Sequence, residues 1–148
     1  MTIHQVQEEI VDEFAALNGD VEKIMCHIID LGRILPPMPE LYRAEQNLVK
    51  GCHSRVWLAS AESVNGIHFY ADSDTLISKG LASLLLRVFD GQHRADILNA
   101  DLYFIKRNHL ERFIGTKRSN GFYAMIAQIK FCVSNLSGTD HELVNTTF

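Results

Sequence analysis

One stretch of this chain of 148 residues is typical of β structure, and helical patterns lie on both sides of it. SRVWLASA is rich in strand-forming residues, SVNG supplies a turn, and IHFYA alternates in character. These pieces predict an antiparallel hairpin, to which a third short strand could be joined. Strands grouped in one place with helices flanking them indicate an α+β fold, and they argue against a βαβ nucleotide-binding fold.

Two amphipathic helices are predicted before the hairpin. Apolar residues at three- or four-residue steps define the first: Ile3, Val6, Ile10, Phe14 and Leu17. Asp20 is the expected N-cap of the second helix. The apolar stripe of that helix is Ile24, Ile28 and Leu31. Gly32 and PPMPE end it. The segment LYRAEQNLVKG lacks a period and should be irregular, with a short helical turn.

Further helices are predicted after the hairpin. DSD, residues 72–74, should leave the second strand and cap an apolar helix, TLISKGLASLLLRVF, which ends at Gly91 and forms the centre of the core. RADILNADLYFIKRNHLERFIG predicts two short helices. TKRSNGFYAMIAQIKFCVSNLS predicts polar capping residues followed by a long C-terminal helix. We expect a single domain, residues 1–148, with a core at about 3–135 and a frayed tail at 137–148.

The composition argues against several classes of protein. The formal charge is −4 and there is no basic run, which disfavours a general nucleic-acid binder because such binding depends on phosphate neutralisation. The N-terminal MTIHQVQEEIVDEF is neither a secretory signal nor a membrane span, so we expect a cytoplasmic protein with reduced thiols. Three cysteines with long separations and no CxxC pair argue against a disulfide framework and a zinc knuckle.

A cysteine with polar and basic neighbours stands just before the hairpin, in the segment KGCHSRVWL. Gly51 permits unusual backbone angles beside it. Three basic neighbours would favour a thiolate at Cys52: Lys50, His53 and Arg55. A thiolate attacks sulfur and carbon electrophiles, and it can accept a sulfane sulfur to become a persulfide. From the residues alone two interpretations stay open, a packed cysteine at the edge of a strand and a reactive one.

The other candidate groups give weaker signals. Cys26 in the second helix should face the core in part, and Cys132 on the last helix should be packed. The seven histidines form no HxxxH pair that would bind a metal on a helix. A zinc or iron site built from Cys52, His53 and the acids of DSD is conceivable, but a strand exit and helix cap explain DSD better.

Two further possibilities for catalysis or binding are also weak. His53 is an unfavourable base for Cys52, because neighbours on a strand point to opposite faces. KRSNG, residues 117–121, places two cations at the start of a helix, where they could bind an anion or could simply be solvated beside the cap. No P-loop and no GxGxxG supports nucleotide binding.

Four segments share their order and spacing with one known family: IIDLGRILPPMP, NLVKGCHSRVWL, ADSDTLISKGLASLLLRVFDG and KRSNGFYAMIAQIK. The chain resembles the SufE family, whose cysteine loop is usually a glycine–cysteine–glutamine–serine run leading into a valine–tryptophan strand. The other segments resemble its leucine–glycine–leucine–proline stretch, its acidic turn with the central helix, and its arginine–serine–asparagine–glycine helix start. The resemblance covers residues 3–135 and implies the α+β fold that the family shares with the IscU scaffolds.

The resemblance also implies a role in sulfur transfer. SufE-like proteins are sulfur acceptors that dock on a PLP-dependent cysteine desulfurase (SufS- or CsdA-like). They take its persulfide sulfur on the loop cysteine and deliver it to an iron–sulfur scaffold complex (SufBCD-like). By position Cys52 is the acceptor, and Gly51 gives the loop its reach. Residues that match positions near the loop or the desulfurase contact surface are Asp74, Arg55 and Arg118. Such a carrier is not an enzyme and needs no cofactor or metal, and its loop is thought to be sheltered until docking.

The chain departs from the family pattern at two places. His53 replaces the usual glutamine and adds a group that titrates near neutral pH beside the acceptor. Thr116-Lys117 stands where the family often has a residue followed by proline, so the start of that helix should be looser. Two alternatives to a sulfur carrier remain. One is an IscU-type scaffold for iron–sulfur or zinc, against which the absence of a cysteine in DSD argues. The other is an interaction protein that stimulates a desulfurase without taking sulfur.

Overall fold

The computed structural model describes residues 1–136, and over this range the fold is mixed α+β. The helices are α1 (Ile3–Ala15), α2 (Val21–Arg33), α3 (Leu76–Phe89), α4 (Arg94–Asn99), α5 (Phe104–Arg107), α6 (Leu110–Ile114) and α7 (Thr116–Asn135). The strands are β1 (Val56–Ser63) and β2 (Gly66–Ser73). The irregular segment before β1 contains two short 3-10 helices, Glu40–Tyr42 and Glu45–Asn47. The frayed tail expected at 137–148 lies outside the described residues.

Local sequence signals determine where the first two helices begin. The Thr2 hydroxyl accepts a hydrogen bond from the Gln5 amide at 3.1 Å, and the Gln5 side chain accepts one from the Thr2 amide at 2.8 Å, which completes a capping box. Asp20 caps α2 by accepting from the Lys23 amide, as predicted. The predicted stripes on these helices are buried at Val6, Ile10, Phe14, Ile24, Ile28 and Leu31.

The hairpin forms as predicted, but its sheet keeps two strands within the described residues. β1 and β2 pair in antiparallel register along their whole length, with Val64 and Asn65 as the turn. Isolated bridges flank them at Leu48–Trp57 and Ile67–Gln92. The third short strand that the sequence allowed is therefore reduced to single residue pairs, since the chain turns away after each one.

The helices after β2 differ from the expectation in their number and in how they begin. Three short helices, not two, lie between α3 and α7, because His109 adopts a left-handed φ of 53° and separates α5 from α6. DSD does not cap α3 through its acids. Thr75 is the N-cap residue, and its side chain makes no capping bond. α7 likewise begins after Gly115 without a side-chain cap.

The core is centred on α3, as predicted. Its buried apolar side chains include Leu81, Leu84, Leu85, Leu86, Val88 and Phe89. α2 packs closely against it, because a Cβ atom on Gly80 would overlap the Ile28 carbonyl and one on Gly32 would lie 2.8 Å from the Gly80 amide nitrogen. Two glycines thus allow the backbones of α2 and α3 to approach each other. Within residues 1–136 no helix combines the length and apolar character needed to cross a membrane.

Candidate functional site

A closed loop precedes β1, and residues 50–55 are here called the Cys52 loop. A hydrogen bond of 2.8 Å from the Val49 amide to the Val56 carbonyl fixes its base. Gly51 has a φ of 91°, a conformation that favours glycine. A Cβ atom at Gly51 would lie 3.4 Å from the Cβ of Ala124, so the loop folds back onto α7.

The Cys52 side chain points from this loop toward α7 and is half-buried. Its Sγ lies 3.4 Å from the carbonyl oxygen of Gly121, close enough for a weak hydrogen bond from the thiol. Burial raises the pKa of the Cys52 thiol above its ordinary value. The expectation that basic neighbours would favour a thiolate is therefore wrong for this arrangement, because burial determines the direction of the shift.

A small cavity of about 40 Å³ adjoins Cys52. It brings together three residues predicted for the site: Cys52, His53 and Arg118. The remaining lining comes from Ser54, Ser78, Lys117, Gly121 and Met125. Both cations of KRSNG thus line the same cavity as Cys52, and Arg118 also donates from Nη1 to the Ile114 carbonyl at 3.4 Å. The cavity beside the half-buried thiol is therefore lined in part by basic side chains.

Arg55 and Asp74 lie at the exit of the loop and not in the cavity. The Arg55 amide donates to Oδ1 of Asp74 at 3.0 Å, and the Asp74 amide donates to the Arg55 carbonyl at 3.2 Å. The Ser73 hydroxyl donates to the same carbonyl at 2.8 Å. Both predicted residues are exposed. Asp74 therefore holds the loop at the point where it enters β1.

The other two cysteines occupy different environments. Cys26 is exposed, so the expectation that it faces the core in part is wrong, because the buried stripe of α2 runs along another face. Cys132 is half-buried, as predicted, and Gln128 Nε2 lies 3.6 Å from its Sγ. Burial raises the pKa of the Cys132 thiol, although the Gln128 hydrogen bond acts in the opposite direction. Of the three thiols, one is therefore exposed and two are half-buried.

Comparison with known proteins decides the family. The family model described as "SufE: Fe-S metabolism associated domain" matches residues 8–133. The chain belongs to the SufE family. An uncharacterised SufE-like protein of Rhizobium meliloti is 34% identical over 128 residues, which cover 83% of this chain and 91% of that protein. One from Rhizobium etli is 34% identical over 128 residues, covering 83% and 86%.

A solved structure shares the fold of the chain. The solution structure of a hypothetical protein from Thermus thermophilus matches it with a TM-score of 0.74 at 18% sequence identity. The match covers 88% of this chain and 94% of that one. The resemblance inferred from the four sequence segments is thus confirmed, and it connects this chain with iron–sulfur metabolism.

The acids near the site of this SufE chain have protein partners. Asp72 lies 3.4 Å from Nη2 of Arg43 and 3.6 Å from Nζ of Lys79, and Asp74 accepts from the Arg55 amide. Across residues 1–136, no group of three or more histidine, cysteine, aspartate or glutamate side chains is placed to hold a metal ion.

A larger cavity, of about 480 Å³, lies away from Cys52 beside another face of α7. Several of its polar side chains are already engaged. The Lys130 ammonium donates to the Ala100 carbonyl at 2.5 Å, and the Tyr103 hydroxyl donates to the Glu8 carboxylate at 2.8 Å. The Tyr123 hydroxyl similarly donates to Glu111 at 3.0 Å. These contacts join helices to one another.

Sequence reasoning missed several residues beside Cys52. Gly121 offered one signal, since a glycine inside a helical pattern often marks close packing. A Cβ atom there would stand 3.4 Å from the Cys52 sulfur. Ser54 and Ser78 offered none, because a single serine in a loop or on an apolar helix is too common to indicate a site.

Proposed function

We propose that Cys52 accepts the sulfane sulfur of a persulfide from a PLP-dependent cysteine desulfurase and carries it to an iron–sulfur cluster scaffold. The observation that supports this most directly is the half-buried Cys52 thiol on a glycine-containing loop, in a chain of the SufE family. The protein works in the cytoplasm as a carrier and as an activator of the desulfurase. It is not an enzyme and uses no cofactor of its own.

Sulfur transfer to Cys52 is a thiol–persulfide exchange. The Cys52 thiolate attacks the terminal sulfur of the desulfurase persulfide, a new S–S bond forms as the old one breaks, and the desulfurase cysteine leaves as a thiolate. One sulfane sulfur moves from the desulfurase cysteine to Cys52, and the proton lost by the Cys52 thiol ends on the departing cysteine. No external oxidant or reductant takes part. The same exchange in the other direction delivers the sulfur to the scaffold.

The supporting residues have separate tasks in this proposal. Gly51 provides the turn that lets the tip of the loop extend, while Arg55 and Asp74 hold its exit. Because burial raises the pKa of the thiol, Cys52 reacts slowly until docking draws it away from α7. His53 and Arg118 line the cavity beside Cys52, and the Arg118 guanidinium is the fixed positive charge available to the thiolate as it forms.

The assignment of Cys52 is tested by intact-mass spectrometry after incubation with a cysteine desulfurase and cysteine. The native chain should gain the mass of one sulfur, which a reductant removes. Cys52→Ser should keep the fold by circular dichroism and gain no labile sulfur. Cys26→Ser and Cys132→Ser are matched controls and should behave like the native chain. A labile sulfur on Cys52→Ser would show that another residue accepts the transferred sulfur.

Two other functions make different predictions in related measurements. An interaction protein that only activates the desulfurase would stimulate it equally well as Cys52→Ala. A scaffold would be purified with zinc or iron in stoichiometric amount, which elemental analysis measures. For a carrier we expect Cys52→Ala to lose stimulation and the purified chain to contain no stoichiometric metal.

A further inference from the structure

Three hydroxyl groups connect the Cys52 loop to the start of α3. The Thr75 hydroxyl donates to Oγ of Ser54 at 2.9 Å, and the Ser78 hydroxyl donates to the same oxygen at 3.1 Å. Ser54 follows Cys52 by two residues, whereas Thr75 and Ser78 belong to the first turn of α3 and its cap. Ser78 is buried, with 9% of its surface exposed, so its bond to Ser54 is protected from competition by water.

Neither helix capping nor apolar packing explains these contacts. Thr75 occupies the N-cap position of α3, but its side chain makes no capping bond and reaches across to the loop. Ser78 lies on a helix whose buried residues are mostly apolar, where a hydroxyl without a partner would be destabilising. Ser54 supplies that partner. The two side chains of α3 are therefore directed at the loop.

The hydrogen bonds divide the Cys52 loop into two parts. Ser54 and Arg55 are held through their side chain and backbone respectively, by contacts to residues 73–78. Cys52 makes one weak hydrogen bond, from its thiol to the Gly121 carbonyl at 3.4 Å, and its side chain packs against the core. The exit of the loop is thus held by more hydrogen bonds than its tip.

We propose that Ser54, Thr75 and Ser78 form a hydroxyl anchor that fixes the exit of the Cys52 loop, so that the thiol leaves α7 by movement of residues 50–53 alone. The purpose of the anchor rests on the proposed function. Persulfide exchange needs the attacking sulfur in line with the bond that breaks, and a fixed exit limits the positions that the sulfur can take. The three hydroxyls are positioning residues, because they act through the loop.

The anchor is tested first in the full chain without any desulfurase. Iodoacetamide is added, and the rate of alkylation at each cysteine is followed by peptide mass spectrometry. Thr75→Val and Ser78→Ala each remove one donor, and the double variant removes both while Ser54 stays in place. We expect the Cys52 rate to rise about threefold to tenfold per bond lost, the range of one hydrogen bond. The pH midpoint of the Cys52 reaction should fall as well, because burial is what raises it.

The chain provides its own controls for this measurement. Exposed Cys26 reports the reactivity of the reagent, and half-buried Cys132 reports general loosening of the fold. Ser119→Ala removes another buried hydroxyl near the site, one that donates at 2.7 Å to the Gly115 carbonyl of its own helix start and not to the loop. An unchanged Cys52 rate, an equal rise at Cys132, or an equal effect of Ser119→Ala would each overturn the anchor.

Sulfur transfer from a desulfurase then separates positioning from simple shelter. In the double variant we expect alkylation of Cys52 to be faster while sulfur transfer is several-fold slower, because a mobile exit places the sulfur less well. If transfer instead accelerates in parallel with alkylation, the hydroxyls only shelter the thiol and the positioning role is wrong. If the native chain takes no sulfur, the proposed function fails, and the alkylation rates still decide whether the anchor exists.

Discussion

Substitution of Gly121 should affect the stability of α7 and the shelter of the Cys52 thiol differently. Its carbonyl accepts from the Cys52 thiol at 3.4 Å. A Cβ atom at Gly121 would lie 3.4 Å from the Cys52 sulfur and 3.9 Å from both the Cα and the Cβ of that residue. The nearest neighbours of an added methyl group therefore belong to the tip of the Cys52 loop and not to the core.

The position of the added methyl group determines the expected change in the free energy of unfolding. Replacing a glycine inside a helix by alanine stabilises it by about 0.5–1 kcal/mol. Crowding of a core costs about 1–3 kcal/mol, but a Cβ atom 3.4 Å from the Cys52 sulfur is in ordinary van der Waals contact, so Gly121→Ala crowds its surroundings little. We expect Gly121→Ala to leave the free energy of unfolding unchanged or raise it by up to ~1 kcal/mol. Gly121→Val adds branches that enter the position of the sulfur, with a smaller gain in helix propensity.

The assay pairs urea unfolding with alkylation of each cysteine. The rate at Cys52 should stay close to the native value in Gly121→Ala and increase in Gly121→Val, while the rate at Cys132 stays constant. The pH midpoint of the Cys52 reaction should fall in Gly121→Val, since burial raises that pKa in the native chain. The reasoning would be refuted if Gly121→Val lowered the free energy of unfolding by about 3 kcal/mol or more while Cys52 stayed protected from alkylation. That result would show that the core holds the thiol.

Two further predictions concern the helix core and the effect of pH. Gly80→Ala should lower the free energy of unfolding in urea by about 1–3 kcal/mol, because the added Cβ overlaps the Ile28 carbonyl and helix propensity offsets only part of this; a variant as stable as the native chain would contradict it. Burial raises the pKa of the Cys52 thiol, so its contribution to stability is complete below the unfolded value and is lost as pH rises through the folded one. As pH rises above the ordinary thiol value of about 8.5, the native chain should therefore lose more stability than Cys52→Ser, and equal losses would contradict the shift.

The elements governed by local pattern could be predicted from the sequence. The first two helices follow from apolar spacing and from Asp20, and the hairpin follows from a turn between two alternating segments. These signals are local, because a cap or a two-residue turn is decided within a few residues. The misses involve partners distant in the chain. The Thr75 hydroxyl bonds to Ser54, 21 residues earlier, and so does not cap its own helix.

The candidate site shows the same division. The choice of Cys52 as the candidate and the expectation of basic residues around it follow from motifs, and the structure brings His53 and Arg118 to the same cavity. The protonation of the thiol does not follow, because it depends on burial against Gly121, which is 69 residues away. Basic neighbours in sequence pointed to a thiolate, and burial gave the opposite direction.

A thiol whose pKa is raised by burial suits a sulfur carrier better than a permanently ionised thiolate would. A thiolate exposed at all times would react with any electrophile or oxidant, whereas a buried thiol is largely protected from both. Cys52 is half-buried through packing against the core and one weak hydrogen bond, on a loop whose base and exit are fixed elsewhere. Moving the sulfur away from α7 gives up that packing, and the same movement lowers the pKa that burial had raised. A docking partner that captures the loop tip would thus increase both access and reactivity in one step, without any change in the helices beneath it.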